Sequence, residues 1–213
     1  MKKNIVVLIS GNGTNLQSIM DTIERGKING QICAVISNKA DAYGLVRAEK
    51  ANIPHFVFSR KDFDSNQSMD SAIASKIDEL GADLIVLAGY MKILTAQFTQ
   101  HFEGKILNIH PSLLPKYAGL HTHQRAMEAG DTEHGMSIHF VNEEVDGGSV
   151  VLQAKVPIYP DDTLEDVIQR VHEQEHRCYP LVVEWFCSDR LSCIDGKAYL
   201  DGELLSKQGY AID

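Results

Sequence analysis

The chain opens on an apolar run at residues 5–9 that lacks polar alternation, as in a strand covered on both faces. Residues 15–25 then set Leu16, Ile19, Met20 and Ile23 on one helical face. The same order recurs. Residues 32–36 predict a second strand and 43–51 a second helix, followed by a short strand at 56–58 and a helix at 68–80 closed by Gly81. Two further buried strands are expected at 84–88 and 106–109, separated by a short helix around 96–102. Strand and helix in alternation imply a parallel sheet with right-handed crossovers.

The pattern changes after Ile109. Residues 110–135 carry Pro111, Pro115, Gly119, Gly130 and Gly135, with a short helix near 124–129. From that composition, residues 112–135 are expected to form a mobile flap. Residues 137–141 and 150–156 predict an antiparallel pair joined through Asp146-Gly147-Gly148. Residues 163–188 predict a long amphipathic helix with Thr163 as N-cap, Asp166 in its first turn, and a kink at Pro180. A final hairpin is expected from 191–194 and 198–200. No linker, repeat or low-complexity tract interrupts the chain, so one domain over 1–213 is expected. Its fold class is α/β: a mostly parallel open sheet with helices on both faces and an antiparallel extension near the C-terminus.

Composition narrows the function classes. Hydrophobic content of 44% and charged content of 23% are those of a globular chain, which excludes disorder. A net charge of −9 argues against general nucleic-acid binding, so an anionic ligand would need local devices. No apolar run reaches the roughly 20 residues that span a bilayer. Met1-Lys2-Lys3 superficially opens like a signal peptide, but Ser10-Gly11-Asn12-Gly13 stands where a cleavage site would be, and a cytoplasmic protein is expected. Cys33, Cys178, Cys187 and Cys193 form no metal or redox spacing and read as free thiols in a reducing compartment.

Gly11-Asn12-Gly13-Thr14-Asn15 joins the first strand to the first helix, where glycines admit a ligand and free N–H groups attract an anion. A dinucleotide fingerprint would need glycine where Leu16 stands, and an acid where Ser37-Asn38-Lys39 follows the second strand. A phosphate cradle fits; a tight turn without a ligand is the other reading. Strand alternation puts Asn108 and His110 on one side of the strand end, where open α/β sheets hold their sites. A carboxamide can donate to an oxyanion and an imidazole can move protons, although an isolated Asn-x-His is more often structural. Asp146 precedes two glycines, as an ordinary turn residue does, but its carboxylate could also orient His110. Histidines at 110, 121, 123, 134 and 139 complete no zinc spacing, and no metal is expected. A Gly-x-Ser-x-Gly elbow is absent, and covalent catalysis has no sequence support.

The Asn108-x-His110-Pro111-Ser112-Leu113-Leu114-Pro115 run, the Gly-rich loop upstream and the Asp-Gly-Gly downstream resemble those of the phosphoribosylglycinamide formyltransferase family. Further matching stretches lie at 37–44, 87–94, 119–123, 152–157 and 174–180, so the resemblance covers essentially the whole chain. It implies a Rossmann-like formyltransferase fold. It also implies transfer of a formyl group from 10-formyltetrahydrofolate to the amine of phosphoribosylglycinamide in de novo purine biosynthesis, without a metal. Asn108, His110 and Asp146 match the family's catalytic trio. Gly13, Thr14 and Asn15 look like the phosphate cradle, and Glu175 like a ribonucleotide contact. Met91, Lys92, Ile93 and Leu94 look like a folate-lining segment, with Leu87 and Ile106 as apolar walls and Val141, Glu143 and Glu144 in a closing loop.

Two positions depart from the family. Asn66 and Lys92 stand where relatives carry Arg, one of them a contact to the folate's glutamate carboxylates. Neither offers Arg's planar fork, and Arg60 and Lys61 are near enough in sequence to compensate. The implied partners are two small molecules, with no nucleic acid and no membrane, in a monomer or weak homodimer. The alternatives are a formyltetrahydrofolate hydrolase-like enzyme, whose known members carry an extra N-terminal domain, and a non-catalytic nucleotide- or folate-binding regulator.

Overall fold

In the first half of the chain, strands and helices alternate as the apolar pattern requires. The computed structural model describes residues 1–212. β1 (Lys3–Ile9), α1 (Thr14–Glu24), β2 (Gly30–Ser37), α2 (Tyr43–Lys50) and β3 (His55–Val57) come first. They are followed by α3 (Asn66–Glu79), β4 (Leu84–Leu87), α4 (Ala96–His101) and β5 (Ile106–His110). Then come α5 (Thr122–Glu128), β6 (Glu133–Phe140), β7 (Val150–Pro157) and α6 (Leu164–Cys187). The short strands β8 (Leu191–Ile194), β9 (Lys197–Leu200), β10 (Glu203–Leu204) and β11 (Tyr210–Ile212) end the described chain.

The main sheet runs β11-β7-β6-β5-β4-β1-β2-β3, parallel except where β6 pairs antiparallel with β5 and β7. Period-two alternation splits its apolar residues between two cores. Ile5, Val7, Ile9, Val86 and Leu107 face α1, α2 and α6, whereas Val6, Leu8, Ile85, Leu87 and Ile106 face α3 and α4. Each fully buried Val, Leu or Ile contributes roughly 1.5–3 kcal/mol, which is why β1 tolerates no polar alternation. β8, β9 and β10 form a separate three-stranded antiparallel sheet. No helix of the described residues is long and apolar enough to cross a membrane.

Topology fixes where a ligand can sit. From β1 the chain steps outward through β2 and β3, then returns to place β4 on the other side of β1. The crossovers therefore diverge at β1 and β4, leaving a crevice at the strands' C-terminal ends. α6 packs beneath it, with the buried Tyr179 hydroxyl donating to Leu87 O (2.8 Å) and Leu107 O (3.1 Å), one carbonyl from each of β4 and β5. Thr163 and Asp166 close the start of α6 as a reciprocal capping box.

Several boundaries differ from the sequence expectation. α3 begins at Asn66 because Ser65, not Ser68, is its cap, and Ser68 returns the bond to the Ser65 N–H. α6 is one long helix through Pro180, as the amphipathic pattern predicts, although Pro180 has no N–H to give the His176 carbonyl. β10 and β11 were not expected: two and three residues are too short to show periodicity, and β11 is recruited by pairing parallel to β7.

Candidate active site

The turn after β1 is built around Gly13. Its φ of 78° is left-handed, and a Cβ there would stand 2.8 Å from Gly44 Cα. Gly44 N donates to Gly11 O at 3.0 Å, and Arg47 braces the turn with bonds to Asn12 O (2.8 Å) and Asn12 Oδ1 (2.7 Å). The guanidinium is thereby committed to the loop. Asn15 Nδ2 lies 3.4 Å from Glu175 Oε2, while Asn15 Oδ1 is buried with no partner. Burial pushes the Glu175 carboxyl up to about 7, against the opposing pull of the Asn15 hydrogen bond. His172 stands on the same wall, its Nε2 4.0 Å from Glu175 Oε2.

The end of β5 carries the reactive groups. Asn108 and His110 share one strand face, and Asp146 reaches them from the turn between β6 and β7. That turn is tightly made: Asp146 has a left-handed φ of 54°, and a Cβ on Gly148 would lie 1.7 Å from Phe140 O, so only glycine fits. Asp146 Oδ1 faces His110 Nδ1 at 3.4 Å, and Asp146 Oδ2 accepts the Gly119 N–H at 2.9 Å. On its other side His110 Nε2 lies 2.8 Å from Tyr117 O. Both ring nitrogens thus face oxygen acceptors, which fix the plane of the ring. Tyr117, His121 and Asp146 all hold positive φ, so left-handed non-glycine backbone gathers around this point.

These groups open onto a cleft of about 750 Å³ with two chemically distinct ends. Gly11, Asn12, Gly13, Thr14, Asn15, His172 and Glu175 line the polar end. Leu87, Met91, Ile93, Leu94, Val141 and Val145 line the apolar one, and Asn108, His110 and Asp146 are also in its wall. Deeper, His123 Nδ1 and His134 Nε2 meet at 3.0 Å, and burial pushes both imidazoles down to about 4. Among the described residues no three His, Cys, Asp or Glu side chains converge as metal ligands would.

The cleft and the residues around it are shared with a known family. A family profile described as "Formyl transferase" matches residues 3–183. The phosphoribosylglycinamide formyltransferase of Haemophilus influenzae is 65% identical over 209 residues, covering 98% of this chain and 99% of that one. The chain belongs to the phosphoribosylglycinamide formyltransferase family. The Escherichia coli phosphoribosylglycinamide formyltransferase is 53% identical over 210 residues, 99% of each chain. A solved phosphoribosylglycinamide formyltransferase from Coxiella burnetii superposes with a TM-score of 0.96 at 48% identity, over 100% of both chains.

Most of the residues expected from the formyltransferase resemblance do line the cleft: Gly13, Thr14, Asn15 and Glu175, Leu87, Met91, Lys92, Ile93 and Leu94, Asn108, His110, Val141, Glu143, Glu144 and Asp146. Ile106 does not. It shares the face of Asn108 but sits two residues before it, at the start of β5, fully buried in the core against α3 and α4. Asn66 is not in the cleft wall either; it opens α3 as an exposed first-turn residue. Lys92 reaches the wall, but its ammonium is paired with buried Asp70, which also accepts the Thr95 N–H. Arg60 donates to Phe63 O at 2.7 Å and so serves its own turn.

The segment 112–135, expected as a flap, is anchored to the core at several points. Ser112, Leu114, Thr122 and Ala126 are buried. Leu114 N donates to Ser137 Oγ (3.0 Å), Gln153 Nε2 donates to Leu114 O (2.8 Å), and Thr122 Oγ1 donates to Pro111 O (2.6 Å). The Leu114–Pro115 peptide is cis. Residues 118–121 are a run of four exposed positions, and this arm carries Gly119 to Asp146. Sequence reasoning missed Tyr117 O, His172 and the partner of Asn108, His139. A backbone carbonyl leaves no sequence signal. His139 was visible only as one histidine of several until β5 and β6 were placed in register.

Proposed function

We propose that Asn108, His110 and Asp146 carry formyl transfer from 10-formyltetrahydrofolate to the amine of phosphoribosylglycinamide. The observation that supports this most is the meeting of His110 Nδ1 and Asp146 Oδ1 at 3.4 Å, beside Asn108, in a cleft polar at one end and apolar at the other. The phosphate of the ribonucleotide would rest on the N–H groups of Gly13, Thr14 and Asn15, and the ribose would lie toward Glu175. The folate would lie along Leu87, Met91–Leu94 and Val141, under Glu143 and Glu144. Two substrates so held meet at the trio, and proximity alone can account for much of the rate.

The amine nitrogen attacks the formyl carbon, and the carbonyl electrons move to oxygen. Asn108 N–H donates to that oxyanion, a bond contributing roughly 3–4 kcal/mol, and the positive charge of protonated His110 beside it stabilises it further. Collapse re-forms the carbonyl and breaks the bond to N10; protonated His110 gives a proton to the departing N10 and then takes up the proton lost by the amine, so the ring ends as it began. Asp146 Oδ1, 3.4 Å from Nδ1, orients the ring in both of its states. Neither a metal nor a covalent enzyme intermediate enters this sequence.

The test is turnover of 10-formyltetrahydrofolate, followed as tetrahydrofolate formation, with and without the ribonucleotide amine. Rapid turnover that requires the amine is expected, and Asn108→Ala should reduce it roughly 100- to 1000-fold. Amine-independent turnover would instead identify a hydrolase, and binding without turnover a regulator.

A further inference from the structure

We propose that His139 is a positioning residue for this reaction: its unprotonated Nε2 holds the Asn108 amide with the NH₂ group, not the carbonyl, presented to the reacting carbon. The inference rests on reading Asn108 as an oxyanion donor. β5 and β6 are paired so that Asn108 and His139 stand directly opposite one another. Alternation along β6 sends Met136, Ile138 and Phe140 into the core beneath α6, and so puts His139 on the opposite face of the sheet. His139 is only 2% exposed, so what its ring nitrogens do is set entirely by protein groups.

Those groups leave one consistent arrangement. His139 Nδ1 lies 2.9 Å from Phe140 O, which can only accept, so Nδ1 carries the hydrogen. Burial pushes the ring toward the neutral form, and with Nδ1 protonated the lone pair sits on Nε2. Asn108 Nδ2 is 3.2 Å from that lone pair. With the amide turned over, Asn108 Oδ1 would face it instead, exchanging a hydrogen bond for lone-pair repulsion. With the ring cationic, two donors would face each other. Asp146 Oδ1, 3.9 Å from Nε2, favours charge on His139, and burial and the neighbouring His110 oppose it. The Phe140 carbonyl thus sets the tautomer, the tautomer sets the amide, and the second Asn108 N–H is left free for the oxyanion.

The experiment crosses His139→Leu and His139→Gln with Asn108→Ala in the full-length enzyme. Leu removes the acceptor at similar bulk; Gln keeps a carbonyl that can accept. His139→Leu should lower kcat about 10- to 100-fold, less than the loss of the donor itself, with KM for both substrates nearly unchanged. His139→Gln should recover a large part of that loss, and in the Asn108→Ala background His139→Leu should have almost no further effect. Full multiplication of the two losses would overturn the proposal. If Asn108→Ala alone leaves kcat intact, it is the reading of Asn108 that falls, so the two failures are distinguishable. Should the buried variants not fold, ¹⁵N NMR of the unmodified enzyme still decides. A neutral His139 protonated on Nδ1 at pH 7 is expected, and a cationic or Nε2-protonated ring would overturn the assignment.

Discussion

Asp146 and His110 face each other at 3.4 Å across the end of β5, and the second carboxylate oxygen of Asp146 is held by the Gly119 N–H. One carboxylate therefore ties the imidazole to the exposed arm that carries Gly119. Together with Tyr117 O on the far side of the ring, it leaves His110 little freedom to turn.

If the pair works as a unit, removing either member should remove most of what both supply. Asp146→Asn and His110→Asn should each lower kcat by roughly 10²- to 10⁴-fold, the range for a positioned acid–base group. The double variant should be scarcely slower than the worse single one. Steady-state kinetics of the three variants decides this; multiplying effects would mean that the groups act independently.

Gly13 offers a separate test of the phosphate cradle. Gly13→Ala forces a left-handed backbone that disfavours alanine by about 1–2 kcal/mol, and it sets a Cβ 2.8 Å from Gly44 Cα. Stability in urea should fall by at least that order. Calorimetry should show ribonucleotide affinity reduced and folate affinity nearly intact. Equal loss of both affinities would make the turn merely structural.

Glu175 should leave a mark on stability against pH. Its carboxyl holds a proton up to about pH 7 when folded, whereas an unfolded glutamate releases it near 4.3, an approximate reference value. Between those values the folded state binds more protons than the unfolded one, so this group's contribution falls as pH rises and the penalty is complete above about pH 7. Glu175→Gln removes the ionisation. Its Tm relative to the parent should be higher at pH 8 than at pH 4.5, and a difference independent of pH would refute the buried-carboxyl account.

Amide exchange should divide the segment after β5 in two. Leu114 donates to a buried serine and should exchange slowly in the free protein, while exposed Ala118 and Leu120 should exchange fast. Both ligands together should slow the second group. Uniformly fast exchange across 112–121 would show that the anchoring bonds do not hold in solution.

The sequence by itself determined the α/β order, the two-sided burial of β1 and the Gly-rich turn, and placed Asn108 and His110 on one side of a strand end. These are carried by local patterns: apolar period, glycine where a Cβ cannot fit, and residues two apart on one strand. Asn108, His110 and Asp146 were legible as a candidate trio only through the family resemblance. Tertiary structure decided what depends on register and on depth along a strand. Ile106 and Asn108 share a face, yet one lies in the core and the other in the cleft wall, because only the strand's last residues emerge past the helices. Lys92 reaches the cleft with its charge already matched by Asp70, a residue far from it in the chain. His139 acquires its place opposite Asn108 only when β6 returns antiparallel along β5. Which histidine stands beside which amide is a property of strand pairing, and pairing across a crossover is set by the packing of the whole sheet rather than by any short run of residues.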